Sequence, residues 1–237
     1  MNSRKLVNMV LKTVVIGGLV GLFTSFIVAH EIFSNVLNPF QGMEILGLVL
    51  YYLGFALVFT VVSLAGFLAY LFIHRFGVSI FRSFWPSVQV LLILLALFDI
   101  VYFSNKEILL LHRISIAFVV LLASVIVGWF KVKQTNKSGF IPAVFFMVVV
   151  TALELTLGLR TSGMDYIIII LVTLIVANAY QLLAWHHVTK PDPEHLRRIE
   201  ERRKERLAKM EAARKKSKEK SEKSNSKNQS TTSKKKK

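Results

Sequence analysis

Met164-Asp-Tyr-Ile-Ile-Ile-Ile-Leu-Val-Thr-Leu-Ile-Val-Ala-Asn-Ala-Tyr-Gln-Leu-Leu-Ala-Trp185 decides the class of this chain. Its one charge, Asp165, sits at the start. A membrane-spanning helix needs about 20 apolar residues, and this run supplies them. It closes a longer block, Leu11 to Trp185, that is apolar almost throughout. Its few charges recur at intervals of roughly one bilayer thickness. Such runs are too long and too dry for a water-soluble core. The sequence therefore predicts an all-α, polytopic integral membrane protein with about six transmembrane helices and a charged, partly disordered C-terminal tail.

The expected spans are residues 13–33, 45–73, 85–103, 114–130, 140–159 and 164–185. Ser34-Asn35 with Asn38-Pro39, Ser104 to Glu107, Lys131 to Gly139 and Arg160 to Gly163 supply polar turns. Pro86 suits the first turn of the third span. Arg4, Lys5 and Lys12 ahead of an apolar run resemble a secretory leader, but Thr13–Ala29 ends in Val28-Ala29-His30-Glu31 with no small-x-small cleavage site. The sequence thus reads as a retained first span.

Charge sets the expected orientation. One set of connections carries Arg4, Lys5, Lys12, Arg75, Arg82, Lys131, Lys133 and Lys137, and the other only Lys106, Arg113 and Arg160. The positive-inside rule then puts both termini in the cytoplasm of a multi-pass protein of the bacterial cytoplasmic membrane. Trp85, Trp129 and Trp185 all fall at the expected inner boundary, where amphipathic indoles anchor helices.

Of the 237 residues, 1–188 form the expected membrane domain and 189–237 a basic cytoplasmic tail. Net charge is +16 overall, with 30 Lys and Arg, of which the 19 from Lys190 onward face eight acids, so the tail alone carries +11. It has little to bury and cannot offset its ordering entropy. Glu194–Arg198 and Glu200–Lys204 are i,i+4 pairs of the favourable order, so the tail should be helical to about residue 223 and disordered beyond. Basic clusters beside a membrane attract anionic lipid. The tail lacks aromatics for base stacking, which argues against sequence-specific nucleic-acid binding. There is no cysteine, which excludes disulfides and thiolate chemistry.

The residues that invite a role are few. Asp99 and Glu154 are the carboxylates well within expected spans. Intramembrane charges are costly and tend to mark function. Both lie near expected outer ends, within reach of Arg113 or Arg160. They therefore form either an outward polar site or a salt-bridge layer that fixes helix packing. His30, Glu31 and His112 share that level but lack metal-ligand spacing, and no metal or cofactor is expected. Between spans two and three, Phe76, Ile80, Phe81 and Phe84 gather on one helical face opposite Arg75, Ser79, Arg82 and Ser83. That pattern predicts a short interfacial amphipathic helix, serving either partner docking or topology. Gly17-x-x-x-Gly21 permits close helix approach, and Asn178 and Gln181 should hydrogen-bond to neighbouring helices. No G-x-S-x-G, H-E-x-x-H or phosphate-binding glycine loop occurs, so no enzyme is indicated.

Three stretches carry a family resemblance: Ala69-Tyr-Leu-Phe-Ile-His-Arg-Phe-Gly-Val-Ser-Ile-Phe-Arg-Ser-Phe-Trp85, Phe98-Asp-Ile-Val-Tyr-Phe103 and Ala152-Leu-Glu-Leu155. They resemble the KinB-signalling-pathway activation family, KbaA, small polytopic membrane proteins of endospore-forming bacteria. The likeness spans about residues 1–188, and the Lys-rich extension looks longer than the family's usual end. It implies a non-enzymatic activator of a membrane sensor histidine kinase feeding the sporulation phosphorelay. Arg75, Phe76, Ile80, Phe81 and Arg82 become candidate partner contacts, and Asp99, Glu154, Arg113 and Arg160 a candidate polar layer. Two alternatives stand beside it: a small-solute transporter or channel, and a ribosome- or membrane-biogenesis-associated factor acting through the tail.

Overall fold

The computed structural model describes residues 3–38, 40–102, 108–159, 163–189 and 197–210. All regular structure among them is helical. The order is α1 (Ser3–Val28), a short α2 (His30–Leu37), α3 (Gly42–Phe81), α4 (Trp85–Tyr102), α5 (Leu110–Gln134), α6 (Phe140–Phe145), a π-helical segment (Phe146–Val150), α7 (Thr151–Leu159) and α8 (Met164–Thr189). Among the described residues, five helical stretches are long and apolar enough to cross a membrane. One of them, Gly42–Tyr102, contains both α3 and α4. The chain reverses inside it at Arg82, where φ is 46° and ψ −113°.

The helices run past the ends expected from hydropathy. α1 begins at Ser3 and stops at Val28, with residues 30–37 forming the separate α2, where one span over 13–33 was expected. α5 extends to Gln134 and α8 to Thr189. Backbone hydrogen bonds do not stop where the apolar residues stop, because terminal N–H and C=O groups gain by another turn. The largest departure is α3. At 40 residues it is about 60 Å long at 1.5 Å per residue, twice the roughly 30 Å hydrocarbon core. The segment expected as a free-standing amphipathic surface helix is the final two turns of α3, closed by a 3-10 turn at Arg82–Phe84.

Burial separates core from shell. In an 18-residue apolar window of 137–156 and of 164–189, 61% and 56% of residues are buried, against 28%, 17% and 28% in the windows of 3–28, 42–102 and 110–134. The α6–α7 helix and α8 are therefore central, and α1, α3, α4 and α5 surround them. Phe146, Met147, Val148, Leu155, Ile167, Ile170 and Leu174 form the centre of the main apolar cluster. The shell helices turn large apolar side chains outward, among them Phe23, Phe72, Leu94 and Phe118.

α1 docks through small residues. Gly17 lies against Thr60 of α3, and Gly21 against Ala56 of α3 and Thr173 of α8. A Cβ at either glycine would collide with those neighbours. The Gly17/Gly21 pattern thus serves close approach within the chain. α3 and α8 run parallel: going along both, Tyr52 meets Tyr166, Ser63 meets Asn178 and Phe67 meets Trp185.

The chain divides into two compact units, residues 1–189 and 190–237. In the second, residues 197–210 are helical. The rest of the expected helix, 194–223, and the expected disordered end lie outside the described residues.

Candidate functional site

A row of polar side chains crosses the interior where α3, α7 and α8 meet. Gln181 Nε2 donates to Ser63 Oγ at 2.6 Å. Ser63 Oγ donates to Asn178 Oδ1 at 2.8 Å. Asn178 Nδ2 donates to Thr151 Oγ1 at 3.0 Å and to Glu154 Oε2 at 2.7 Å. Ser63, Thr151, Asn178 and Gln181 are wholly buried and Glu154 is 4% exposed. The chain of donors ends on the carboxyl group, and Glu154 Oε1 and Gln181 Oε1 are left without hydrogen-bond partners.

Local sequence explains how a carboxyl group fits there. Gly66 of α3 has no side chain, and the place its Cβ would take is filled by Glu154 Oε1 and a methyl of Val150. The π-helical segment ends at Val150, immediately before Thr151. Single-turn π segments inside α-helices recur at functional sites, and this one sets the register of Thr151 and Glu154 toward α8. Buried polar groups in an apolar medium must find partners or cost several kcal/mol each, about. This row satisfies its donors and leaves a surplus of acceptors.

The partner of Glu154 differs from the sequence expectation, which puts the carboxylate near the outer end of its span, within reach of the interface or of Arg113 or Arg160. Glu154 meets α3 at Gly66. Its hydrogen-bond partner is the Asn178 amide. α8 projects beyond the end of α7, as the contact of Gly158 with Ile170 shows. Arg113 donates from Nη1 to the Val101 carbonyl at 3.1 Å, and its Nε has no partner. Asp99 is half-buried on α4. Arg113 thus meets α4 two residues from Asp99, whereas Glu154 is bonded to Asn178; Arg160 lies outside the described residues.

A second cluster closes the α3–α4 hairpin. Trp85 is 5% exposed. Its ring fills the space over Gly77, and its Nε1 donates to His74 Nδ1 at 3.2 Å. Phe81 stacks on it at 5.9 Å between centroids, and Phe145 of α6 meets it edge-on. Expected as an interfacial anchor, Trp85 is instead an interior latch, because the reversal at Arg82 folds α4 back onto the last turns of α3. Trp185 is half-buried and packs edge-on against Phe67. Trp129 alone among the three faces outward, with Lys133 Nζ 3.4 Å from its ring centroid. Beyond the latch, Phe76 (64%), Ile80 (70%) and Phe84 (72%) are exposed, and so are Arg75 and Arg82.

The family model described as KbaA, KinB-signalling pathway activation in sporulation, matches residues 17–188. The chain belongs to the KbaA family. A Bacillus subtilis (strain 168) protein described as KinB-signaling pathway activation protein is 30% identical over 190 residues, covering 77% of this chain and 96% of that protein. No solved structure matches. The family match takes in the polar row and the hairpin latch, and it stops before the helix at 197–210.

Sequence reading missed Ser63, Gly66 and Thr151 as members of the polar row. A signal was present for two of them. Ser63 and Gly66, three residues apart on α3, share a helical face in a run of large apolar residues, and that is where a membrane helix accepts a polar neighbour. Among the described residues no group of three or more His, Cys, Asp or Glu is placed to hold a metal ion.

Proposed function

We propose that this chain acts in sporulation as a non-enzymatic membrane activator of a KinB-type sensor histidine kinase, working by lateral contact between helices. Membership in the KbaA family across the membrane block carries the reading. In it the protein is multi-pass in the bacterial cytoplasmic membrane, with six spans and both termini cytoplasmic. The reversal at Arg82 supports counting α3 and α4 as separate crossings. The partner surface is the inner end of the α3–α4 hairpin, with Arg75, Phe76, Ile80, Phe81 and Arg82 against the first cytoplasmic helix of the kinase. Exposed aromatic and arginine side chains on a rigid support suit such recognition. An activator shifts the kinase only by its differential affinity for the two signalling states.

The test is kinase phosphorylation in a spore-forming host, comparing wild type with a strain lacking this gene at equal kinase abundance. A drop, restored by the chain ended at Val188, is expected. Unchanged phosphorylation overturns the activator reading. One observation favours small-solute transport instead: a buried carboxyl group with an unpartnered oxygen. That alternative requires Glu154→Gln to abolish uptake at unchanged protein abundance.

A further inference from the structure

The helix at 197–210 lies beyond the family match, which ends at 188. It holds seven basic residues against three acids, a net +4. Ile199, Arg203, Arg206 and Met210 recur at i, i+4, i+7 and i+11, so they share one face, flanked by Arg202 and Leu207. Glu201 and Glu205 point the other way, and Glu200 lies to the side. Ile199, Leu207 and Met210 are 49%, 48% and 59% exposed, and among the described residues no apolar cluster includes them. Isolated helices of about 12–15 residues are marginal in water. This one has an unburied apolar edge interleaved with arginines, so a surface that takes both would stabilise it.

We infer that the helix 197–210 lies flat on the anionic cytoplasmic leaflet, Ile199, Leu207 and Met210 entering the headgroup boundary while Arg202, Arg203 and Arg206 reach lipid phosphates. The inference rests on the reading of the chain as a membrane protein with a cytoplasmic tail. The partner follows from charge and shape. Apolar residues flanked by arginines on a helix fit an anionic interface, each arginine near the surface tightening association roughly fivefold. A nucleic acid would use the arginines and leave the apolar edge wet. In sequence the helix begins a few residues past Thr189.

The experiment is amide hydrogen exchange on the full chain in nanodiscs of phosphatidylcholine with or without phosphatidylglycerol. Exchange over 197–210 is expected to slow about tenfold or more with phosphatidylglycerol, and to recover in Ile199→Ser/Met210→Ser. A chain ended at Met210 should keep that protection. Equal exchange in both lipids overturns the inference, as does protection lost on removing 211–237, or protection seen only on adding RNA to phosphatidylcholine discs. Exchange over α8 serves as the control. Slow α8 exchange without tail protection sinks this inference alone, whereas a chain that fails to enter discs sinks the membrane reading beneath it.

Discussion

The middle and the inner end of α3 are built on opposite plans. Around Ser63 and Gly66 one face of the helix is enclosed, and Ser63 is paired on both sides. From Arg75 to Phe81 only Gly77 is buried, and the aromatic and basic side chains point outward. One helix thus carries a region whose substitutions should be felt as stability and a region whose substitutions should be felt as recognition. The distinction comes from what surrounds each segment. The middle lies between α7 and α8, while the end extends past them.

The largest effect should come from adding a side chain at Gly66, where Glu154 and Val150 already occupy the space. Gly66→Leu drives a side chain into Glu154 and Val150. Overpacking of this kind costs about 1–3 kcal/mol or more, and here it also displaces a buried carboxyl group. Thermal unfolding in detergent should show a clear fall, with abundance and kinase activation falling together. Normal stability would mean that α3 and α7 can separate freely, and the enclosed-middle picture would go.

Next in size is the carboxyl group itself. Glu154→Leu removes the acceptor for Asn178 Nδ2 and leaves a buried donor unpaired, a loss of about 1–3 kcal/mol. Glu154→Gln keeps an acceptor oxygen and the same shape. Gln should therefore preserve abundance and activation where Leu lowers both. If Gln and Leu are equally damaging to activation while abundance holds, the charge or its proton has a functional role and the structural reading of the row is wrong.

The helical class and the apolar block were legible because period and length suffice to mark helices that cross lipid. The neighbour of each polar residue was not legible. Glu154 and Asn178 lie 24 residues apart, and which arginine or amide meets the carboxyl depends on the axial offset between α7 and α8, which hydropathy does not encode. Trp85 shows the same limit. An indole at a span boundary reads as an anchor, but a glycine eight positions earlier and a reversal in one residue turn it inward. The helix end at Phe81 was hidden for a related reason: Arg75 closes the apolar run and makes the amphipathic segment look like a separate helix, whereas the backbone continues unbroken as α3.

The latch separates the two regions more gently. Trp85→Phe keeps a ring over Gly77 and deletes the Nε1 donor to His74, an interaction of about 0.5–1.5 kcal/mol. Stability should fall slightly, while activation should fall further if the latch orients the exposed hairpin end. Phe76→Ser with Ile80→Ser goes further in that direction. Both side chains are exposed, so unfolding should be nearly unchanged and activation reduced. Retained activation in the double variant, at normal abundance, would remove this surface from the mechanism.

The smallest effect is expected at Arg82, and it has the opposite sign. Its φ of 46° with ψ of −113° is close to the first central position of a type II′ turn, which favours glycine. A non-glycine residue there holds strain on the order of 1 kcal/mol. Arg82→Gly should thus raise the unfolding midpoint slightly, whereas Arg82→Ala keeps the strain and should leave it unchanged. Both variants lose the guanidinium. If the arginine contacts the kinase, activation should drop equally in the two despite their different stabilities. If only Arg82→Gly lowers activation, the rigid, strained reversal matters more than the charge. The recognition surface would then be Phe76 and Ile80 held at a fixed angle, with Arg82 acting as the corner that holds them.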